Sequence, residues 1–535
     1  MRKFSRIIAS GAAIVLGTVG LSLVPTAAYA ANTTYYIDAV AGSDSAAGTT
    51  PGTAWKTLTK VNATTFGAGD QILFHVGQTW SGRLHPLGSG VAGNPITLSS
   101  YGGTGYPVID GGSLPGGGAV YLTDQSYWTI QNLEVVSDSG VNNLGSPNPG
   151  TARTGILVDS PYDQVLKGIV IQNNYVHDVN GCFDCADLNG HFNGGIVVGA
   201  NIYSPVSVAK GGYDGVQILN NLVEDVGRSG IIFIDNSSGI WFWVDQASLS
   251  QNITISGNEV YRSDSDGITV GGGNNVQIDH NIVGDAGQET ILTSTQPSTA
   301  GIWPGKTENV VIEYNEVYGT QTNVIDGQGF DIDLGVSNAT VQYNYSHDNE
   351  GGFLLLMGGW VDGSNATVRY NLSVNDGNGG GKGVFSFSYG VKPGTNIYNN
   401  TVYVAPGLAS NIMHCESCDV ANAWSFRNNV IANYGTGGYA YPTQNDTIDY
   451  NLFYGNHPAS EPADAHKLTT DPQFIAPVNV APYGIGSVAG FQLAGTSPAA
   501  GSGLLIAANG GHDYFGRTVS ATANPTRGFH EVNTY

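Results

Sequence analysis

In Gly329-Phe330-Asp331-Ile332-Asp333 two carboxyl groups alternate with two large apolar residues. On a β-strand this alternation sends Phe330 and Ile332 to one face and both acids to the other. Their Cα atoms are then about 6.6 Å apart on the same surface. Cleavage of a glycosidic bond uses two carboxyl groups at this scale, about 5–5.5 Å apart for retention and about 6.5–9.5 Å for inversion. One protonates the departing oxygen, and the other activates water or attacks the sugar carbon. Asp331 and Asp333 are therefore the candidate catalytic pair.

Other reactive side chains fall in neighbouring repeats. Glu350, in His347-Asp348-Asn349-Glu350, precedes the next strand and is expected to lean toward Asp331 as a third catalytic carboxylate. Trp303 occupies the position equivalent to Asp331 one repeat earlier, with Lys306 close by. An indole beside carboxylates suits the floor of a sugar site, because ring C–H bonds pack on its face. Asp266, another repeat back, adds acid to the same side. Trp303, Lys306, His347 and Asp266 are thus expected to bind substrate. His347 shares its offset with His177, which also fits a corner residue. Asp178, Asp225, Asp285 and Asp348 all lie four residues after an Asn anchor, and a recurring Asp at one corner reads as a turn.

The elements that must position these groups come from an internal repeat. A β-branched or aromatic residue, a polar residue and Asn recur before a short apolar stretch, as in Ile255-Ser256-Gly257-Asn258-Glu259-Val260, Ile312-Glu313-Tyr314-Asn315-Glu316-Val317 and Phe426-Arg427-Asn428-Asn429-Val430-Ile431. Steps between anchors from Asn258 to Asn451 are 23, 34, 29, 27, 29, 29 and 22 residues. That is too short for a βαβ unit and fits one turn of a β-solenoid. Asn suits such a corner because it tolerates left-handed backbone, and stacked amides can bond from rung to rung. Each anchor is followed by a second strand opening with Gly, such as Gly267-Ile268-Thr269-Val270 and Gly352-Phe353-Leu354-Leu355.

The repeat, the N-terminal run Tyr35-Tyr36-Ile37-Asp38 through Gly69-Asp70-Gln71-Ile72 and the C-terminal Asp513-Tyr514-Phe515-Gly516 resemble the secreted right-handed β-helix carbohydrate-active enzymes, the pectate lyase and polygalacturonase-like superfamily. The resemblance implies an all-β right-handed parallel β-helix in one domain: an entry segment over 31–115, central rungs over 116–456 and an exit segment over 457–535. It is specific for fold and poor for substrate, since one scaffold hosts many chemistries. The polygalacturonase signatures N-T-D, G-H-G and R-I-K are absent from the sequence.

Composition agrees with an exported all-β chain. The 535 residues include 77 Gly and only 11% charged residues. Arg2, Lys3 and Arg6, the apolar run from Ile7 to Val24 and Ala28-Tyr29-Ala30 read as a signal peptide over 1–30. Its removal takes three cations and no acids, so the net charge of −23 becomes −26. A body this acidic disfavours nucleic acid and polyanions and leaves a neutral glycan as partner. No later segment is apolar enough to span a membrane. Cys182/Cys185 and Cys415/Cys418 lie about seven rungs apart, on the order of 34 Å, so they cannot share a zinc ion. Two local disulfides fit an exported protein.

Two other functions stay open at this level. A polysaccharide lyase would use Lys306 as base and hold Ca²⁺ among the Asp residues; a hydrolase needs no cofactor. A non-catalytic glycan-binding surface would use Trp241, Trp243, Trp303 and Trp360 as a track, but the Asp331/Asp333 pair argues against it.

Overall fold

The computed structural model describes residues 32–533 apart from 113, 139–151, 161–163, 182–192, 201–210, 236–249, 289–298, 323–325, 359–362, 380–381 and 417–421. The expected signal peptide therefore lies outside the described residues, as do Cys182, Cys185, Cys418, Trp241, Trp243 and Trp360. Cys415, in the strand Asn411–Glu416, is disulfide-bonded.

Among the described residues the strands form three wholly parallel sheets of 14, 13 and 10 strands, here sheets 1, 2 and 3. From Gly117–Thr123 to Asn411–Glu416 the chain visits them in rotation, one strand each per rung, as a right-handed parallel β-helix. Coiling starts earlier than the repeat motif suggests. Thr34–Ile37, Gln71–His75 and Ile96–Tyr101 are already adjacent strands of sheet 1.

Two devices hold the rungs in register. The first is the Asn corner between sheets 1 and 2. Asn174, Asn221, Asn258, Asn281, Asn315, Asn344, Asn371, Asn400, Asn429 and Asn451 are buried in a single stack. Each side-chain N–H donates to the Oδ1 of the next Asn at 2.9–3.0 Å. Asp464 closes the stack by accepting from the Asn451 backbone and side chain at 2.8 and 3.1 Å. The expected left-handed backbone falls one residue earlier than the anchor, on Asn220, His280, Tyr314, Tyr343, Tyr370 and Asn428 among others. The anchor must aim its amide along the helix axis, so its neighbour takes the bend. Asp178, Asp225, Asp285 and Asp348 take left-handed φ at the second corner, as turn residues do.

The second device is a Gly near the start of each sheet 3 strand from Arg153–Ser160 to Ala300–Gly305. A Cβ on Gly155, Gly195, Gly230, Gly267 or Gly301 would sit 2.2–2.4 Å from a methyl of Val176, Val223, Val260, Val283 or Val317 on sheet 2. The corner is too tight for any side chain there. The inward residues that follow, among them Ile268, Val270, Ile302, Phe330, Ile332, Leu354 and Leu356, join one continuous core.

Beyond the last rung strand, Leu452–Gly455, the chain turns back along sheet 2. Ala481, Val488, Phe491, Tyr514 and Phe529 pack on Tyr345, Tyr370, Leu372, Val374 and Tyr403 of the coil. The outer face of sheet 2 is thereby covered over these rungs.

Candidate active site

Asp331 lies in the strand Gln328–Ile332 of sheet 3, and Asp333 follows directly. Phe330 and Ile332 are wholly buried in the core, so parity turns both acids outward. Cross-strand register carries the outward column through Thr269 and Trp303 to Asp331, then through Leu355 and Ser386 to His414. The neighbouring column runs from Gly271 to Gly305 and reaches Asp333. Gly305 leaves open space between the two columns: a methyl there would sit 3.3 Å from the Trp303 ring and 3.9 Å from Asp333 Oδ2. Indole and carboxylate converge above a missing side chain.

The pair is recessed. Asp331 is 6% exposed and Trp303 8%, while Asp333 is half-buried. Asp331 Oδ1 has no hydrogen-bond partner among the described residues. Burial, then the charges of Asp333 and Asp326, push the Asp331 carboxyl well above the ordinary carboxylate range against the opposing pull of Lys392. Burial also raises Asp333, to about 7, with Asp326 and Asp266 adding to the rise. Two groups hold Asp333 lower: the Leu334 N–H, which donates to Oδ1 at 2.6 Å, and the ammonium of Lys392. The two acids titrate as a coupled pair, in which Asp331 keeps its proton and Asp333 ionises first.

The other expected site residues divide. Trp303 is at the pair. Asp266 contributes negative field but is 1% exposed, and its Oδ1 accepts the Ala300 N–H at 3.2 Å. It is buried in the corner and does not face a substrate. Lys306 lies in the turn leaving the Trp303 strand, with its backbone N–H bonded to Leu334 O at 2.9 Å. A cation that acts on both acids is Lys392. Glu350 does not lean toward Asp331. Its Oε2 accepts the Thr322 N–H at 2.9 Å, and its backbone bonds Thr320 and Gly379 across two neighbouring rungs. It fastens the second corner.

His347 belongs to another surface altogether. It ends the strand Tyr345–His347 of sheet 2, fully buried. Its Nδ1 lies 3.0 Å from Asp348 Oδ2 and its Nε2 3.3 Å from Glu316 Oε1. Tyr318 and Tyr345 stack on the ring, and Tyr483 meets it edge-on. Sequence distance misled here, because residues 347 and 331 sit on strands that face different directions.

Two groups were missed. Asp326 is half-buried, takes left-handed φ at the corner entering the Asp331 strand and raises both acids. It breaks the Gly-led pattern by lying ahead of it, so strand parity could not find it. Lys392 follows the strand Gly383–Ser388, two rungs on, and no spacing rule links it to Asp333.

Residues 204–402 match the model of the family described as right handed beta helix region. A lacto-N-biosidase of Bifidobacterium longum subsp. longum is 31% identical over 564 aligned positions, covering 86% of this chain and 34% of that protein. The chain thus spans about a third of the length of this curated relative. A GH136 lacto-N-biosidase from Eubacterium ramulus superposes with a TM-score of 0.60 at 22% identity, over 78% of this chain and 68% of that one. The structure of XylC in complex with xylose superposes with a TM-score of 0.52 at 12% identity, over 94% and 98% of the two chains. At these identities the two superpositions show a shared fold.

Proposed function

We propose that this chain is a glycoside hydrolase acting outside the cell on a neutral glycan, with Asp333 and a neighbouring carboxylic acid as its catalytic pair. The observation that carries the reading is the raised, recessed acid pair beside the Trp303 indole. Two acids whose ionisations are split by their surroundings are what acid–base cleavage of a glycosidic bond requires. Asp331, kept neutral by burial and by Asp333, donates its proton to the glycosidic oxygen as the C–O bond breaks. Asp333, ionised with help from Leu334 N–H and Lys392, attacks the anomeric carbon or takes a proton from the water that does. Hydrolysis returns the proton to Asp331 in the first case and passes one to Asp333 in the second, so the cycle needs no oxidant and no cofactor. The 31% identity to a lacto-N-biosidase supports the hydrolase reading over a lyase, and makes lacto-N-biose-type glycans the first substrates to try.

A second assignment of the acid has its own support. Asp326 is more exposed than Asp331 and acts on the same two carboxyls. In that version Asp326 protonates the leaving oxygen, and Asp331 is the buried acid that tunes the others. Export through the 1–30 leader and local Cys182–Cys185 and Cys415–Cys418 disulfides complete the proposal.

The experiment is a glycan panel read for new reducing ends and for the ultraviolet absorbance of unsaturated products. Wild type yields reducing ends without absorbance, and Asp333→Asn abolishes them. Loss in Asp331→Asn with activity kept in Asp326→Asn assigns the acid to Asp331, and the reverse assigns it to Asp326. Absorbance that depends on Ca²⁺ overturns hydrolysis in favour of β-elimination. Full activity in all three variants overturns the site.

A further inference from the structure

Four carboxyl groups gather at this site, and a buried cation, Lys392, acts on two of them. Lys392 is 2% exposed. A lysine is almost never so buried without an acidic partner. The acids that act on it are Asp333 first and Asp331 second. Its place in the fold is specific. The residue sits in the third corner, after the strand Gly383–Ser388, while the acids lie two rungs earlier on sheet 3. Its side chain runs back along the corner. A methyl built on Gly363, in the intervening rung, would lie 3.0 Å from Lys392 Nζ and 2.6 Å from Val336 O. The ammonium thus reaches the turn through which the chain leaves Asp333, across a position kept open by Gly363. The backbone that carries it is itself anchored, because Thr395 donates to the Lys392 carbonyl from its hydroxyl at 2.8 Å.

We propose that Lys392 is a positioning residue for Asp333, a buried ammonium brought in from two rungs away that keeps this acid of the cluster ionised. The inference rests on the hydrolase reading for its consequence in catalysis, but not for its physical content. Asp333 and Asp331 act on it from the end of one strand; Asp326, from the corner before that strand, and Asp266, from the corner two rungs behind, act on those two acids. With Lys392 neutral or absent, the acids lose its opposing charge and Asp333 holds its proton to higher pH. With it charged, one carboxylate is selected as the base. Burial presses the lysine down to about 8, against the pull of Asp333 and Asp331, so the same ammonium discharges above that pH. The site therefore has a window, opened by Asp333 ionising and closed by Lys392 discharging.

The test uses the full chain with Lys392→Met, which keeps the length of the side chain and removes the charge, and Lys392→Arg, which keeps the charge. In substrate-free protein, the melting temperature of Lys392→Met is expected to fall increasingly below wild type as pH rises from about 6 toward about 8, the interval around 7 in which Asp333 ionises in wild type but holds its proton in the variant. Adding Asp333→Asn is expected to restore it. If Lys392→Met alone does not fold, recovery of folded protein in the double variant supports the proposal and failure of the double overturns it. In activity, the acidic limb of kcat is expected to move up by about one pH unit or more in Lys392→Met, a tenfold loss below the limb, with KM little changed and the limb retained in Lys392→Arg. A pH-independent melting loss that Asp333→Asn does not restore overturns the proposal. Absence of any glycan cleavage by wild type defeats the hydrolase reading alone, since the melting series still decides the Lys392–Asp333 coupling.

Discussion

On the outer faces of sheets 2 and 3 the molecule uses the same kinds of residue to opposite ends. Around His347, two acids and three tyrosines enclose one imidazole, and every charge has an answer. Glu316 takes the imidazole on one side and the Gly484 N–H at 2.7 Å, while Tyr345 donates its hydroxyl to Pro482 O at 2.9 Å. The C-terminal segment is buttoned to the coil through this cluster. Around Asp331, acids face acids, one buried oxygen has no partner among the described residues, and the cation arrives from two rungs away. A satisfied buried network holds a fold together, whereas buried groups left in mutual repulsion cost stability and persist where chemistry uses them. The contrast separates a structural His–Glu pair from a candidate catalytic Asp pair more cleanly than residue type does.

The largest effect that would break this comparison is at Asp333. Asp333→Asn is expected to lower kcat by about 10²–10⁴-fold while raising the melting temperature at pH 8. The sign follows from the ionisation. A carboxyl raised from 3.8 to about 7 on folding destabilises the native state increasingly as pH climbs through that interval, and is neutral below it. The gain should therefore vanish at pH 4. A variant equally active, or less stable at pH 8, makes Asp333 a structural residue like Glu316.

His347→Ala is expected to do the reverse, costing about 3 kcal/mol of stability by orphaning the buried Glu316 carboxylate, with turnover per folded molecule unchanged. Burial pulls the imidazole down, but its bonds to Asp348 and Glu316 outweigh that and leave it raised above 6.5. Its stabilising share is thus complete below about pH 6.5 and is lost as pH rises through the higher folded value. Hydrogen exchange at the Gly484 amide, measured against pH, should quicken over that window in wild type and lose the dependence in the variant.

Trp303→Ala gives the smallest change. If the indole is the floor of the sugar site, KM rises about tenfold, the worth of one aromatic contact, and kcat moves little. Loss of kcat with KM unchanged would place the ring in support of Asp331 rather than under the substrate.

Much of this molecule is legible in one dimension because its contacts are nearly one-dimensional. Each rung meets the rung before and after it at a fixed offset, so the period of Asn258 to Asn451 already implies the stack, and the alternation in 330–333 already implies that two acids share the outer surface. Strand parity is local; it needs only the core to claim Phe330 and Ile332. What lies between strands did not follow. The left-handed residue is the neighbour of each anchor Asn, since the amide must point along the axis. Glu350 and His347 looked close to Asp331 by count, yet a corner rotates the chain between faces, and one residue fastens Thr322 while the other stacks between Tyr318 and Tyr345. Asp326 and Lys392 were invisible for the converse reason. A side chain that reaches along a corner across rungs obeys no period, and only the packed coil decides which charges meet, because their burial and their distance arise together when the rungs close.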